Sequence, residues 1–125
     1  MSLKEFEVVT LFVGDIAAAR AFYETVFKVD KIYFDDVSAV FGFSGVMINL
    51  LQLDQAPELV APLAVGGEGA RMLLTIRVDN VDAECTRLTG LGVELLNGPI
   101  DRAWGRRTAA FADVDGHVWE LAQVI

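Results

Sequence analysis

Val8-Val9-Thr10-Leu11-Phe12-Val13-Gly14-Asp15-Ile16 stands near the start of the chain, and Leu73-Leu74-Thr75-Ile76-Arg77-Val78-Asp79-Asn80-Val81 stands sixty-five positions after it. Both are strand-like runs with threonine in third place, and both end in a residue able to cap a helix, Asp15 or Asn80. A second match lies further on. Gly45-Val46-Met47-Ile48-Asn49-Leu50-Leu51-Gln52-Leu53 is repeated as Gly116-His117-Val118-Trp119-Glu120-Leu121-Ala122-Gln123-Val124, seventy-one positions later. Two matches in the same order read as an internal duplication. The growth in offset places about six extra residues in the second copy, around Gly98 to Gly105.

Each copy reads as strand, helix and three strands. Ile16, Ala19, Phe22, Tyr23 and Val26 recur at helical spacing, and Val81, Ala83, Cys85 and Leu88 do so less regularly before the stops at Gly90 and Gly92. Lys31 to Phe34 and Ser38 to Phe43 fill the middle of the first copy; Val93 to Leu96 and Arg107 to Ala112 fill that of the second. Asp115-Gly116 signals a hairpin turn before the last strand. The expected fold is α+β, a single domain over residues 1–125 made of two βαβββ modules, about 4–53 and 71–125. Residues 54–70, with Pro57, Pro62, Gly66, Gly67 and Gly69, form the linker. No helix follows those glycines, so they do not suggest a phosphate loop. Nothing rests on Met1-Ser2-Leu3.

Side-chain alternation sorts each strand into two faces. One carries Val9, Leu11, Val13, Ile48, Leu50, Leu74, Ile76, Val78, Trp119 and Leu121 and is wholly apolar, as a helix-covered face should be. The other carries Thr10, Phe12, Met47, Asn49, Leu73, Thr75, Arg77 and Glu120 among apolar neighbours. Mostly apolar with a few polar groups is the composition of a small-molecule site. A second buried core or a subunit contact has the same composition.

The formal net charge of −8 argues against a nucleic-acid partner and favours a cationic ligand. No apolar run reaches the length of a membrane span, and no export signal opens the sequence, so no membrane partner is expected. Cys85 is the one cysteine, which excludes an intrachain disulfide, suits a reducing cytoplasm and reads as an ordinary buried thiol.

Leu11-Phe12-Val13-Gly14-Asp15 followed by Ala21-Phe22-Tyr23, and Trp104-Gly105-Arg106-Arg107 followed by Phe111-Ala112-Asp113-Val114-Asp115-Gly116-His117-Val118-Trp119-Glu120-Leu121, resemble the vicinal oxygen chelate superfamily. This is also called the glyoxalase/bleomycin resistance/dioxygenase fold. The resemblance covers nearly the whole chain. It implies paired βαβββ units, with mixed sheets curled around a pocket that a second chain often completes. A homodimer is therefore expected, and the linker is long enough to let modules exchange. Metal-dependent members place one ligand on the first and last strand of each unit. Those positions fall on Val8, Asn49, Leu73 and Glu120, of which only Glu120 keeps a strong donor. No metal and no cofactor are expected. His117 stands three residues from Glu120, on the opposite strand face, and reads as a turn-edge histidine. Asp113 and Asp115 read as turn residues.

Three functions follow from these features. The first is a metal-free small-molecule-binding protein, similar to the family's sequestering antibiotic-resistance members. Its ligand-contacting residues are Thr10, Phe12, Met47, Asn49, Leu73, Thr75 and Glu120, with Trp104 and Arg106 from the longer loop of the second copy. Glu120 has a structural role or pairs with a ligand cation or Arg77. The second is a metal-dependent lyase, isomerase, dioxygenase or thiol transferase, for which Glu120 alone speaks; no catalytic set is identified. The third is an interaction module.

Overall fold

The computed structural model describes residues 3–125, so Met1 and Ser2 lie outside it. The chain divides into two compact units, with the boundary between Gly67 and Glu68. The first contains β1 (Val8–Val13), α1 (Ile16–Val26), β2 (Asp30–Phe34), β3 (Ser38–Phe43) and β4 (Val46–Gln52). A 3-10 turn at Leu53–Gln55 and a short helix, α2 (Pro57–Val60), follow. The second contains β5 (Leu73–Arg77), α3 (Val81–Gly90), β6 (Leu95–Arg102), β7 (Arg106–Ala112) and β8 (Val118–Val124). The architecture is α+β and each unit is βαβββ.

The sheets run β1-β4-β3-β2 and β5-β8-β7-β6. In each, first and last strands pair in parallel and the others antiparallel. Thr10 stands opposite Asn49, and Thr75 opposite Glu120, so the duplication is a duplication of register. Buried Ala19, Tyr23 and Val26 of α1 accompany buried Leu11, Val13, Ala39, Phe41, Ile48 and Leu50 of the first sheet. In the second unit Val81, Cys85 and Leu88 accompany Ala109, Phe111, Trp119 and Leu121. Ala83 is exposed; the buried stripe of α3 uses the spacing Val81, Cys85, Leu88.

Both helix starts are capped twice. Asp15 accepts hydrogen bonds from Ala17 N and Ala18 N, and Asn80 accepts one from Ala83 N. In addition Gln52 Oε1 accepts from Ile16 N at 2.9 Å and Gln123 Oε1 from Val81 N at 2.8 Å. The glutamines end the matching strands β4 and β8, so each ties its helix to the last strand of its own unit. These bonds satisfy backbone donors that a helix N-terminus leaves open.

Two boundaries differ from the sequence reading. The linker begins with ordered structure, since Ala56 is fully buried and Pro57 presets the first turn of α2. And β6 is shifted and longer, running from Leu95 to Arg102 rather than Val93 to Leu96. The lengthening is the insertion. A bulge falls between Lys31 and Tyr33 and again between Leu95 and Asn97. Beyond it, six residues separate the pair Tyr33–Val40, but twelve separate Asn97–Ala110. A further irregularity between Asn97 and Ile100 lets the β6–β7 hairpin continue to the pairs Ile100–Thr108 and Arg102–Arg106. Gly98 sits there at φ +82°; a Cβ would collide with the carbonyl oxygen of Thr108 and lie 2.8 Å from Ala109 Cα. Among the described residues no helix is long and apolar enough to cross a membrane.

Candidate functional site

The face of the first sheet opposite α1 carries Val8, Thr10 and Phe12 from β1 and Met47, Asn49 and Leu51 from β4. All are partly or fully buried. Asn49 Nδ2 donates a long hydrogen bond of 3.4 Å to Thr10 Oγ1. Asn49 Oδ1 is buried and has no partner among the described residues. Turning the amide over exchanges the two ends without removing the deficit, because Thr10 has one hydroxyl to offer. The remaining polar atom faces apolar side chains, which is costly unless something else supplies a partner.

In the second sheet the equivalent face carries Leu73, Thr75 and Arg77 from β5 and Val118, Glu120 and Ala122 from β8. Leu73, Thr75 and Arg77 are exposed. Thr75 Oγ1 donates to Glu120 Oε1 at 3.1 Å, and Glu120 has no ion pair with Arg77. The carboxylate is partly buried, and its other oxygen is uncommitted among the described residues. The sequence-expected set thus separates by unit. Thr10, Phe12, Met47 and Asn49 share one face in the first sheet; Leu73, Thr75 and Glu120 share one in the second.

Trp104 and Arg106 lie at the tip of the extended hairpin, both exposed, with Arg106 donating to Gly105 O at 3.1 Å. Arg106 has the strand parity of Thr108 and Ala110, so it belongs to the same face as Glu120. His117 is a turn residue. Its Nδ1 bonds Asp113 Oδ2 at 2.8 Å, while Asp113 Oδ1 accepts from Asp115 N and His117 N, both at 2.9 Å. The Asp113 hydrogen bond raises the His117 pKa against the opposing effect of burial. Asp113 is therefore committed to the turn.

Cys85 is buried. Its pKa is raised, first by burial and then by the Asp82 charge, which disfavours a thiolate nucleophile. An open depression of about 360 Å³ lies over it, lined also by Asp82, Thr86, Thr89 and Pro99. This depression is on the helix side of the second unit and holds none of the expected site residues.

One residue of the open face went unread in the sequence. Arg102 Nε donates to Thr108 Oγ1 at 3.0 Å and Nη2 to Asn97 Oδ1 at 3.1 Å. Thr108 is only 1% exposed, so Arg102 lies across the sheet instead of projecting from the hairpin. The signal was available as the six-residue insertion, but nothing in its composition distinguishes Arg102 from Arg106 or Arg107. The structure does: Arg107 turns the other way, to Asp82 of α3 and Asp101, each at 3.0 Å.

The metal positions implied by the fold can be tested on the donors present. Val8 and Asn49 are diagonal neighbours on the first sheet, and Leu73 and Glu120 are diagonal neighbours on the second. Valine and leucine have no lone pair, and an amide is a poor ligand for transition metals. Among the described residues no three His, Cys, Asp or Glu side chains come together as a ligand group. The residues do not fit the family's metal.

A sequence model described as the glyoxalase/bleomycin resistance protein/dioxygenase superfamily matches residues 5–121. A glyoxalase/bleomycin resistance protein/dioxygenase from Nocardioides is similar in structure, with a TM-score of 0.86 and 23% identity over 100% of this chain and 86% of that one. A glyoxalase-related enzyme from Fulvimarina pelagi has a TM-score of 0.85 and 26% identity over 97% of this chain and 88% of its own. Lactoylglutathione lyase from Agrobacterium tumefaciens has a TM-score of 0.77 and 20% identity over 98% and 95% of the two chains. Comparison with curated proteins found no match. With doubled βαβββ topology, doubled register and a match across nearly its whole length, the chain belongs to the glyoxalase/bleomycin resistance protein/dioxygenase superfamily.

Proposed function

We propose that this protein binds a small molecule on the open faces of its sheets, without a resident metal or other cofactor, as a cytoplasmic homodimer. The observation that carries the reading is the buried Asn49 oxygen without a partner, set among Phe12, Met47 and Leu51. Unpaired polar atoms in apolar surroundings are rare in native proteins and call for an explanation. A ligand donor would satisfy this one, while apolar burial supplies most of the affinity. Exposed Ile32, Leu73 and Leu96 offer further apolar surface to a ligand or a second chain. Sequestration, as in the family's resistance proteins, needs no more than this.

A thermal-shift screen of small molecules on the intact protein, repeated on Leu73→Trp, tests the reading. A compound that stabilises the parent should lose its effect on the folded variant, because the indole occupies the open face. Equal stabilisation of both would place binding elsewhere. The metal-dependent alternative, a lyase, isomerase, dioxygenase or thiol transferase, is favoured by Glu120 alone. Elemental analysis returning one equivalent of a transition metal at the Glu120 face would replace the metal-free reading.

A further inference from the structure

Six of the seven arginines fall into two groups; Arg71, exposed ahead of β5, belongs to neither. Those beside the helices are paired with acids: Arg20 with Glu24, Arg87 with Glu84, and Arg107 with both Asp82 and Asp101. Those on the open face of the second sheet, Arg77, Arg102 and Arg106, have no carboxylate partner among the described residues, although the chain has 18 acidic residues against 10 basic ones. Only Glu120 represents the acids among the strand residues of that face. A surface locally positive on a protein of net charge −8 needs a local reason.

Arg102 is the organised member. Its two hydrogen bonds, to Thr108 and Asn97, are both to neutral oxygens. They fix the plane of a partly buried guanidinium and leave its charge uncompensated. Two of its five N–H donors are used, and the rest have no partner among the described residues. Register places Arg77 opposite Ala122 and Ala122 opposite Thr108, so Arg77 and the Arg102 anchor stand on either side of Ala122. In the next row Glu120 stands beside Ala110. Ala110 and Ala122 are 5% and 8% exposed and form a floor of small side chains between the charges.

We propose that this floor seats the anionic group of the ligand, a carboxylate, phosphate or sulfonate, held on the Arg102 fork with Arg77 opposite. Glu120 faces a hydrogen-bond donor of the same molecule. Thr108 and Glu120 are diagonal neighbours on adjacent strands, about 8 Å apart, a span that a small molecule bridges. The ligand class is therefore a small molecule with an anionic group and a separate donor, not a simple cation. A fixed guanidinium fork suits such an anion through paired charge-assisted bonds. This inference rests on the small-molecule reading above and narrows it.

The test uses a matched pair of probes, anilinonaphthalene sulfonate and its neutral parent N-phenylnaphthylamine. Binding is read by fluorescence, and its place by the backbone amide resonances of Thr108, Ala110 and Ala122. On the parent protein the sulfonate should bind more tightly, shift those resonances and weaken with added salt. Arg102→Gln should lose about tenfold or more of the sulfonate affinity and leave the neutral probe unchanged. Arg102→Lys, which keeps the charge without the fork, should fall between. Arg77→Gln, at an exposed position, should show a smaller loss and carries the test if Arg102→Gln unfolds. Sulfonate affinity unaffected in both glutamine variants, with the neutral probe still shifting the open-face resonances, would overturn the anion site and leave the small-molecule reading standing. Failure of both probes to shift any open-face resonance would overturn both.

Discussion

Asn49 and Glu120 occupy the same place in two copies of one unit, each opposite a threonine on a parallel strand. Around Asn49 the face is partly buried and mostly apolar, and the amide keeps an end without a partner among the described residues. Around Glu120 the face is exposed at Leu73, Thr75 and Arg77, and the carboxylate accepts a hydrogen bond from the threonine hydroxyl. The hairpins beside them differ as well. In the first unit Asp35 closes a short turn, accepting from Val37 N, Ser38 N, Ser38 Oγ and Tyr33 Oη. Those bonds, the Tyr33 hydroxyl foremost, hold the Asp35 pKa at about 2. In the second unit six more residues carry the hairpin onward and bring Arg102 back over the sheet. One architecture thus supports an apolar face with one unmet hydrogen bond and a charged face with surplus cations. The backbone is duplicated while the chemistry has diverged.

The largest expected difference between the halves is at two left-handed glycines. Gly98→Ala should cost about 3 kcal/mol or more, because strain at positive φ adds to a backbone collision. Gly45→Ala, at φ +87° with nothing within 4 Å, should cost about 1 kcal/mol. Urea denaturation compares the two; equal costs would mean that the bulge at Gly98 relaxes and that the extension is not rigidly seated.

A smaller contrast concerns the threonines. Thr10→Val strips Asn49 of its remaining side-chain partner in partly buried surroundings and should cost about 1–3 kcal/mol. Thr75→Val, at an exposed bond, should cost under about 0.5 kcal/mol. Asn49→Leu removes the amide altogether and should be neutral or stabilising. Denaturation midpoints in which Asn49→Leu is the worst of the three would show that the amide is structurally satisfied, and the ligand role of Asn49 would lose its basis.

The smallest effect is confined to pH. His117 replaces Val46 of the first copy, so the turn before β8 carries a histidine that the turn before β4 lacks. Its pKa is raised in the folded state by Asp113. The resulting stabilisation is fully present below the unfolded histidine pKa of about 6.5 and is lost as pH rises through the folded value. Parallel melts of parent and His117→Gln across that window should converge at alkaline pH. A constant gap would remove the protonated pair from the account.

Topology was legible because periodicity and caps are local: Asp15 and Asn80 announce helices whose buried stripes follow at once. The six-residue excess was legible as a change of offset. What could not be read was where the extra residues return. Arg102, Arg106 and Arg107 are alike in sequence, and strand parity with two bulges decides that one lies on the sheet and another on α3. Sequence alternation starts β6 at Val93 and the structure starts it at Leu95 for the same reason, since bulges break the alternation on which strand reading depends. Thr10 and Thr75 were recognisable as site candidates; that one would meet a neutral amide and the other a carboxylate followed from the register, but their unequal exposure did not.

The glutamines at the ends of β4 and β8 have a consequence for how each unit comes together. Gln52 serves a helix that begins 36 residues earlier, and Gln123 one that begins 42 residues earlier. Neither helix start is complete until the last strand of its unit has docked in parallel beside the first. Such a contact is non-local, and its loop-closure entropy must be met before the bond forms. The amide protons of Ile16 and Val81 therefore belong to the cooperative opening of a whole unit instead of the fraying of a helix end. Each unit carries, in one side chain, its own check that the strand order has closed.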